Sequence, residues 1–152
     1  FEKWAVSIGG GVNHRMGLYD MILLKDNHVD YAGGMTEALH KVAEYQKNRD
    51  VSLPVLPLVI ETRSFQEIED AIAASQKAEI VIERILLDNF GPEKVAEAVE
   101  SYGHLVTLEA SGGITSENVN EYGETGVDFV SMGYMTHSAK SLDLSLKSSP
   151  NV

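Results

Sequence analysis

Apolar residues along this chain follow two alternating rhythms. Short continuous runs at 21–24, 55–60, 85–87, 105–108 and 127–130 each stop on polar or glycine residues, as strands buried on both faces do. Between them apolar positions recur every three or four residues: Phe1, Trp4, Ala5 and Ile8; Met35, Ala38, Leu39, Val42 and Ala43; Phe65, Ile68 and Ile72; Val95, Val99 and Tyr102. That spacing predicts helices with one buried stripe. Gly9-Gly10-Gly11 stops the first, and Lys47-Asn48-Arg49 ends the second with basic side chains suited to a helix C-terminus. Ser64 with Glu67 forms a capping-box pattern, and Pro92 opens a helix. Pro57 belongs near the start of its strand, because proline cannot serve a central ladder. A polar helix is expected from Thr115 or Ser116, another after Tyr134, and a short closing strand where Leu142, Leu144 and Leu146 alternate with Asp143 and Ser145. Neither a cap nor a strand precedes the first helix, so the chain is expected to start inside an α/β unit.

Strand-helix alternation repeated about five times means a parallel sheet covered by helices, either doubly wound or a barrel. The strand ends favour the barrel. Each run finishes on a polar or glycine group: Lys25, Glu61, Asp88, Glu109 with Ser111, and Ser131 with Gly133. A barrel brings all such ends to one face, where active sites of that fold lie, whereas an open sheet gathers them only at its switch point. The expected fold is therefore an incomplete TIM-like α/β barrel, with residues 1–152 as its carboxyl-terminal part.

Composition narrows the partners. The 152 residues are 43% hydrophobic and 23% charged, with no cysteine and 12 basic against 23 acidic side chains, a net charge of −11. The chain can bury one ordinary core. A charge of that sign leaves no basic stripe for a nucleic-acid backbone, and no apolar run approaches the roughly 20 residues that span a bilayer. A cysteine-free chain has no disulfides, thiolate metal site or cysteine nucleophile, which suits the cytoplasm.

Two strand-to-helix turns, Ser111-Gly112-Gly113 and Ser131-Met132-Gly133, occur in tandem. Glycines let backbone N–H groups approach an anion, so the pair makes a phosphate cradle or, read more simply, two tight βα connections. His137 falls in the first turn of the following helix, where it would add a donor. Lys25, Glu61 and Asp88 each follow a buried apolar run. A charge there is either paired with its neighbours or facing a ligand. Two carboxylates and a lysine across a barrel mouth suit sugar hydroxyls or a Mg²⁺ carried by a phosphorylated substrate. His14 and Arg15 lie in a glycine-flanked loop, where an Arg fork and a histidine donor can read carboxylate. His28, His40 and His104 show no metal-ligand spacing.

The segments GGGVNHRMGLYDMILLKDNH, Glu61 after its strand, ILLDNF, EASGGI and SMGYMTHSAKSLDLSL, in that order, resemble the carboxyl-terminal part of the quinolinate phosphoribosyltransferases, over nearly the whole chain. The resemblance implies an incomplete α/β barrel preceded by a sandwich domain. It also implies conversion of quinolinate and phosphoribosyl pyrophosphate, with Mg²⁺, to nicotinate mononucleotide, CO₂ and pyrophosphate in NAD biosynthesis. On that basis His14 and Arg15 match carboxylate-binding positions, and Lys25 a lysine at the substrate site. Glu61 and Asp88 match acidic residues facing the ribose and metal, while Ser111, Gly112, Gly113, Met132, Gly133 and His137 match the 5′-phosphate site. The family's Thr-Arg-Lys segment and amino-terminal domain would lie before Phe1, so this portion alone is expected to be inactive, with exposed apolar edge. The whole protein is expected to be a homodimer or larger homo-oligomer. The alternatives are a related phosphoribosyltransferase acting on nicotinate or another small acid, and a phosphate-binding module without catalysis.

Overall fold

A computed structural model describes residues 1–148. Five parallel strands, β1 (Ile22–Leu24), β2 (Leu58–Thr62), β3 (Arg84–Asp88), β4 (Thr107–Ser111) and β5 (Phe129–Val130), pair in chain order. The described residues also form seven helices: α1 (Glu2–Ile8), α2 (Asp26–Ala32), α3 (Met35–Asn48), α4 (Phe65–Ala78), α5 (Pro92–Tyr102), α6 (Val119–Gly123) and α7 (Tyr134–His137).

Strands that stay in chain order, each returning by a crossover of the same hand, put their helices on one side of the sheet. The core shows this directly. Ile22 and Leu24, Leu58 and Ile60, Ile85 and Leu87, Leu108 and Ala110, and Val130 alternate along their strands and join one apolar cluster with Leu39, Ile68, Ala71, Val95 and Ala98 of the helices. A doubly wound sheet would have helices on both faces and two such clusters. The winding is that of a barrel, as the strand ends predict.

The remaining strand residues point the other way, because successive side chains alternate across a sheet. Register aligns them in two rows. One is Leu23, Val59, Arg84 and Thr107; the next runs Glu61, Leu86, Glu109 and Phe129. Asp88 pairs with Ser111 one step further. This second, inward face holds the polar strand residues that a barrel would enclose.

Local rules account for most helix ends. The Ser64 hydroxyl accepts from the Glu67 N–H at 3.2 Å, Pro92 occupies the first turn of α5, and Gly33 closes α2 with φ of 98°. Three expectations are corrected. Residues 142–146 form no strand: Leu142, Leu144 and Leu146 are exposed, and the Leu144 N–H bonds locally to the Leu142 carbonyl instead of to a neighbouring strand. Helix α1 exists and ends at Gly9, but its stripe is not buried, with Phe1, Trp4 and Ile8 all exposed. The polar helix starts only at Val119, because Thr115 to Asn118 form a turn in which Asn118 Oδ1 accepts from the Thr115 N–H at 2.8 Å.

Candidate active site

The carboxyl ends of all five strands lie on one edge of the sheet, since every strand is parallel and the register steps by whole residues. Lys25 follows β1 and caps α2. Lysine is a poor cap because its side chain cannot accept, and the bond made at this helix start is the reciprocal half of a capping box: the Lys25 N–H donates to His28 Nδ1 at 3.0 Å. The ammonium is thereby left to cross to β2, where Nζ meets Glu61 Oε2 at 2.6 Å. Glu61 is buried while the lysine is half exposed. The hydrogen bond to Glu61 raises the Lys25 pKa above the ordinary lysine value, and Asp88 adds to the effect from the end of β3. Lys25 and Glu61 are thus paired with each other, and Asp88 is close enough to act on the lysine electrostatically.

Next to it, Asn89 ties β3 to the glycine turn after β4. Its N–H donates to the Ser111 carbonyl at 2.8 Å and its amide to Asp88 Oδ2 at 2.8 Å. Asn89 itself has φ of 57°, a conformation asparagine tolerates. Gly112, at φ of 96°, lies so close that a Cβ would stand 2.3 Å from Asn89 Oδ1 and 2.8 Å from its backbone nitrogen. Gly113, at φ of 63°, has open space around it. The Asn118 amide donates to the Gly113 carbonyl at 3.3 Å, which holds the turn from the far side. The second turn is looser: Gly133 has ordinary φ, and His137 folds back so that Nε2 would be 3.1 Å from a Cβ there. The Ser131 N–H donates to the Ala110 carbonyl at 2.9 Å, so the two turns leave adjacent strands at the same level.

The loop pair separates. Arg15 lines an apolar groove along β1 with Met21, His28 and Tyr45. His14 instead turns over β4, with Nε2 3.9 Å from Glu109 Oε2. Burial holds the His14 pKa below the ordinary histidine value; Glu109 opposes that shift, and Arg84 and Arg15 reinforce it. Glu109, 2% exposed, also accepts from Arg84 Nη1 at 2.5 Å and from the Ser131 hydroxyl. The Arg84 guanidinium stacks on the Phe129 ring, 3.8 Å from its centroid. Sequence pattern places Glu109 at a strand end and does not single out Arg84. The available signal is period: Arg84, Leu86 and Asp88, like Thr107, Glu109 and Ser111, alternate with Ile85, Leu87, Leu108 and Ala110.

With this geometry in place, comparison with known proteins is specific. The family model for the quinolinate phosphoribosyl transferase C-terminal domain matches residues 1–147. The chain belongs to this family. It is 43% identical over 155 residues to the chloroplastic carboxylating nicotinate-nucleotide pyrophosphorylase of Arabidopsis thaliana, covering 96% of this chain and 44% of that protein. A probable carboxylating nicotinate-nucleotide pyrophosphorylase of Archaeoglobus fulgidus is 42% identical over 152 residues, covering 97% of this chain and 53% of the relative. Among solved structures, NadC from Streptococcus pyogenes superposes with a TM-score of 0.81 at 36% identity, over 97% of this chain and 48% of that one. The chain therefore spans about half the length of the relatives it matches. Among the described residues no helix is long and apolar enough to cross a membrane.

Proposed function

We propose that this chain supplies the ribose, phosphate and part of the acid-binding site of a quinolinate phosphoribosyltransferase. The reaction joins quinolinate to phosphoribosyl pyrophosphate and gives nicotinate mononucleotide, CO₂ and pyrophosphate, a step of NAD biosynthesis. The observation that carries the reading is the meeting of Lys25, Glu61 and Asp88 with two glycine-containing turns along one sheet edge.

The chemistry follows from charge. As pyrophosphate leaves C1′ of the ribose, positive character develops on the sugar, and fixed carboxylates are the groups that favour it. Glu61 and Asp88 are suitably placed on neighbouring strands, and Lys25 keeps Glu61 oriented. The backbone N–H groups of Ser111, Gly112 and Gly113, and of Met132 and Gly133, serve the 5′-phosphate, with His137 as an added donor. His14 and Arg15 serve the quinolinate carboxylates; their divergence suits two carboxylates better than one. The nucleophile is the pyridine nitrogen, and the carboxylate beside it departs as CO₂.

Mg²⁺ enters this reading as part of the substrate. No cluster of three or more His, Cys, Asp or Glu that could hold a metal occurs among the described residues. An ion that keeps several waters and takes one or two protein carboxylates beside substrate phosphates fits Asp88 and Glu61. A homodimer or larger homo-oligomer belongs to the same proposal, supported by the exposed apolar stripe of α1. So does a cytoplasmic location, which the cysteine-free composition suits.

The test is calorimetric titration of this chain with nicotinate mononucleotide and Mg²⁺, repeated on Asp88→Ala and Gly133→Val. Binding that both substitutions weaken is expected. No binding at millimolar ligand by a folded sample, or binding indifferent to both changes, refutes the assignment of this site. Binding without turnover, persisting once the remainder of the relatives' length is restored, would make the chain a phosphate-binding module instead.

A further inference from the structure

The Arg84-Glu109-Ser131 network plays no part in the chemistry above, yet Glu109 at its centre is only 2% exposed, less than Glu61 on the same inward face. Burying a carboxylate costs several kcal/mol after relaxation, by the general accounting for ions. A network kept only to fill space would be served as well by apolar side chains. Two further observations point at His14. Its Nε2 is buried and has no hydrogen-bond partner, and Glu109 Oε2 stands 3.9 Å from that nitrogen. The charged groups facing the ring are Glu109 from β4, Arg84 from β3, its own neighbour Arg15, and Lys3 from α1. Glu109 alone among them is attractive to a ring proton.

We propose that Glu109 is a positioning residue acting through His14: clamped by Arg84 and Ser131, its carboxylate turns Nε2–H inward and leaves Nδ1 to meet the carboxylate end of the ligand. The ligand's identity rests on the phosphoribosyltransferase reading, but the orientation of the ring does not. In the free protein the neutral ring carries its proton on Nε2. When a carboxylate arrives at Nδ1, a proton from solvent completes the imidazolium between two anions, and the ring draws in from 3.9 Å to hydrogen-bond distance of Glu109.

Two experiments decide it. Long-range ¹H–¹⁵N spectra of this chain at neutral pH should show the His14 proton on Nε2; a ring protonated on Nδ1 overturns the proposal whatever the protein binds. Nicotinate mononucleotide, which carries a carboxylate, and ribose 5-phosphate, which lacks one, are then titrated into Glu109→Gln. Loss of one charge-assisted contact should weaken the nucleotide about tenfold and leave ribose 5-phosphate unchanged. In a His14→Ala background Glu109→Gln should cost nothing further. Equal weakening of both ligands would mean that Glu109 merely holds the Ser131 turn, and an undiminished loss without His14 would mean that it acts some other way; either result overturns the proposal. If Glu109→Gln does not fold, or the unaltered chain binds neither ligand, the ring spectrum still decides. Failure of binding alone counts against the proposed function.

Discussion

Gly112 and Gly113 are neighbours in one turn and both have positive φ, so alanine at either position meets the same class of backbone penalty, about 1–2 kcal/mol for an L-residue in left-handed space. They differ in surroundings. A Cβ on Gly113 meets nothing within 4 Å, whereas one on Gly112 would lie 2.8 Å from the Asn89 backbone nitrogen and 2.3 Å from its side-chain oxygen. Asn89 cannot withdraw cheaply, because its N–H is bonded to Ser111 and its amide to Asp88. Overpacking of this kind costs about 1–3 kcal/mol, so Gly112→Ala should lose about 2–5 kcal/mol in all and Gly113→Ala only the first part. With a slope near 2 kcal/mol per molar urea for a domain of this size, the Gly112→Ala midpoint should fall by roughly 1–2.5 M. Urea unfolding of both variants, followed by circular dichroism, measures the difference. Equal midpoints for the two would refute the reasoning, since they would show that β3 and β4 separate freely at their exits and that Asp88 is not held by the turn.

Two further predictions address the inward face. Arg84→Met should destabilise the chain by about 3–5 kcal/mol by stripping a buried carboxylate of its cation, while the double variant Arg84→Met, Glu109→Leu should recover most of the loss; chemical denaturation of the cycle checks this, and additive losses would deny the coupling. His14 gives a pH signature: its folded pKa lies below the unfolded value, so the unfolded chain takes up the proton first and stability should fall as pH drops below about 6.5, levelling off beneath the folded pKa. His14→Gln should remove that slope from stability curves measured between pH 7 and 5, and a slope unchanged by the substitution would contradict the burial of the ring.

The parts of the fold legible in the sequence are those governed by local rules. Apolar period locates α3, α4 and α5 because their stripes are buried by the same sheet face, and Ser64 and Pro92 mark helix starts through their own backbone chemistry. Strands are displaced, not missed. The apolar runs at 105–108 and 55–60 begin two or three residues before β4 and β2, because each strand continues through Glu109 to Ser111 or through Glu61 to Thr62. Hydrophobicity marks where such a strand is covered, whereas ladder hydrogen bonds mark where it runs. Helix α2 is hidden because Lys25 is an unpromising cap and the compensating bond comes from His28. Arg84 and Glu109 stand 25 residues apart in sequence, and only register puts them side by side.

The distribution of positive charge sharpens how an anionic substrate would be held. Lys25, just past the end of β1, and Arg84, on the inward face of β3, are each already bound to a glutamate. Neither can take a phosphate without giving up a carboxylate that would then be buried alone, at a cost comparable to the worth of the new ion pair. In a chain of net charge −11 the proposed phosphate would then fall to backbone N–H groups, which carry no counter-charge and need no partner exchanged. In that arrangement conformation matters at both Gly112 and Gly113, which would present N–H groups from the left-handed region, and space matters at Gly112 alone, where Asn89 leaves no room for a side chain. Under the proposed function the paired cations would have a different role, holding Glu61 and Glu109 in place for positive character on a sugar and for a histidine ring. Salt dependence separates the two. Ribose 5-phosphate binding through backbone groups should weaken far less with ionic strength than binding through exposed lysines would, and a steep dependence would place the phosphate on side chains instead.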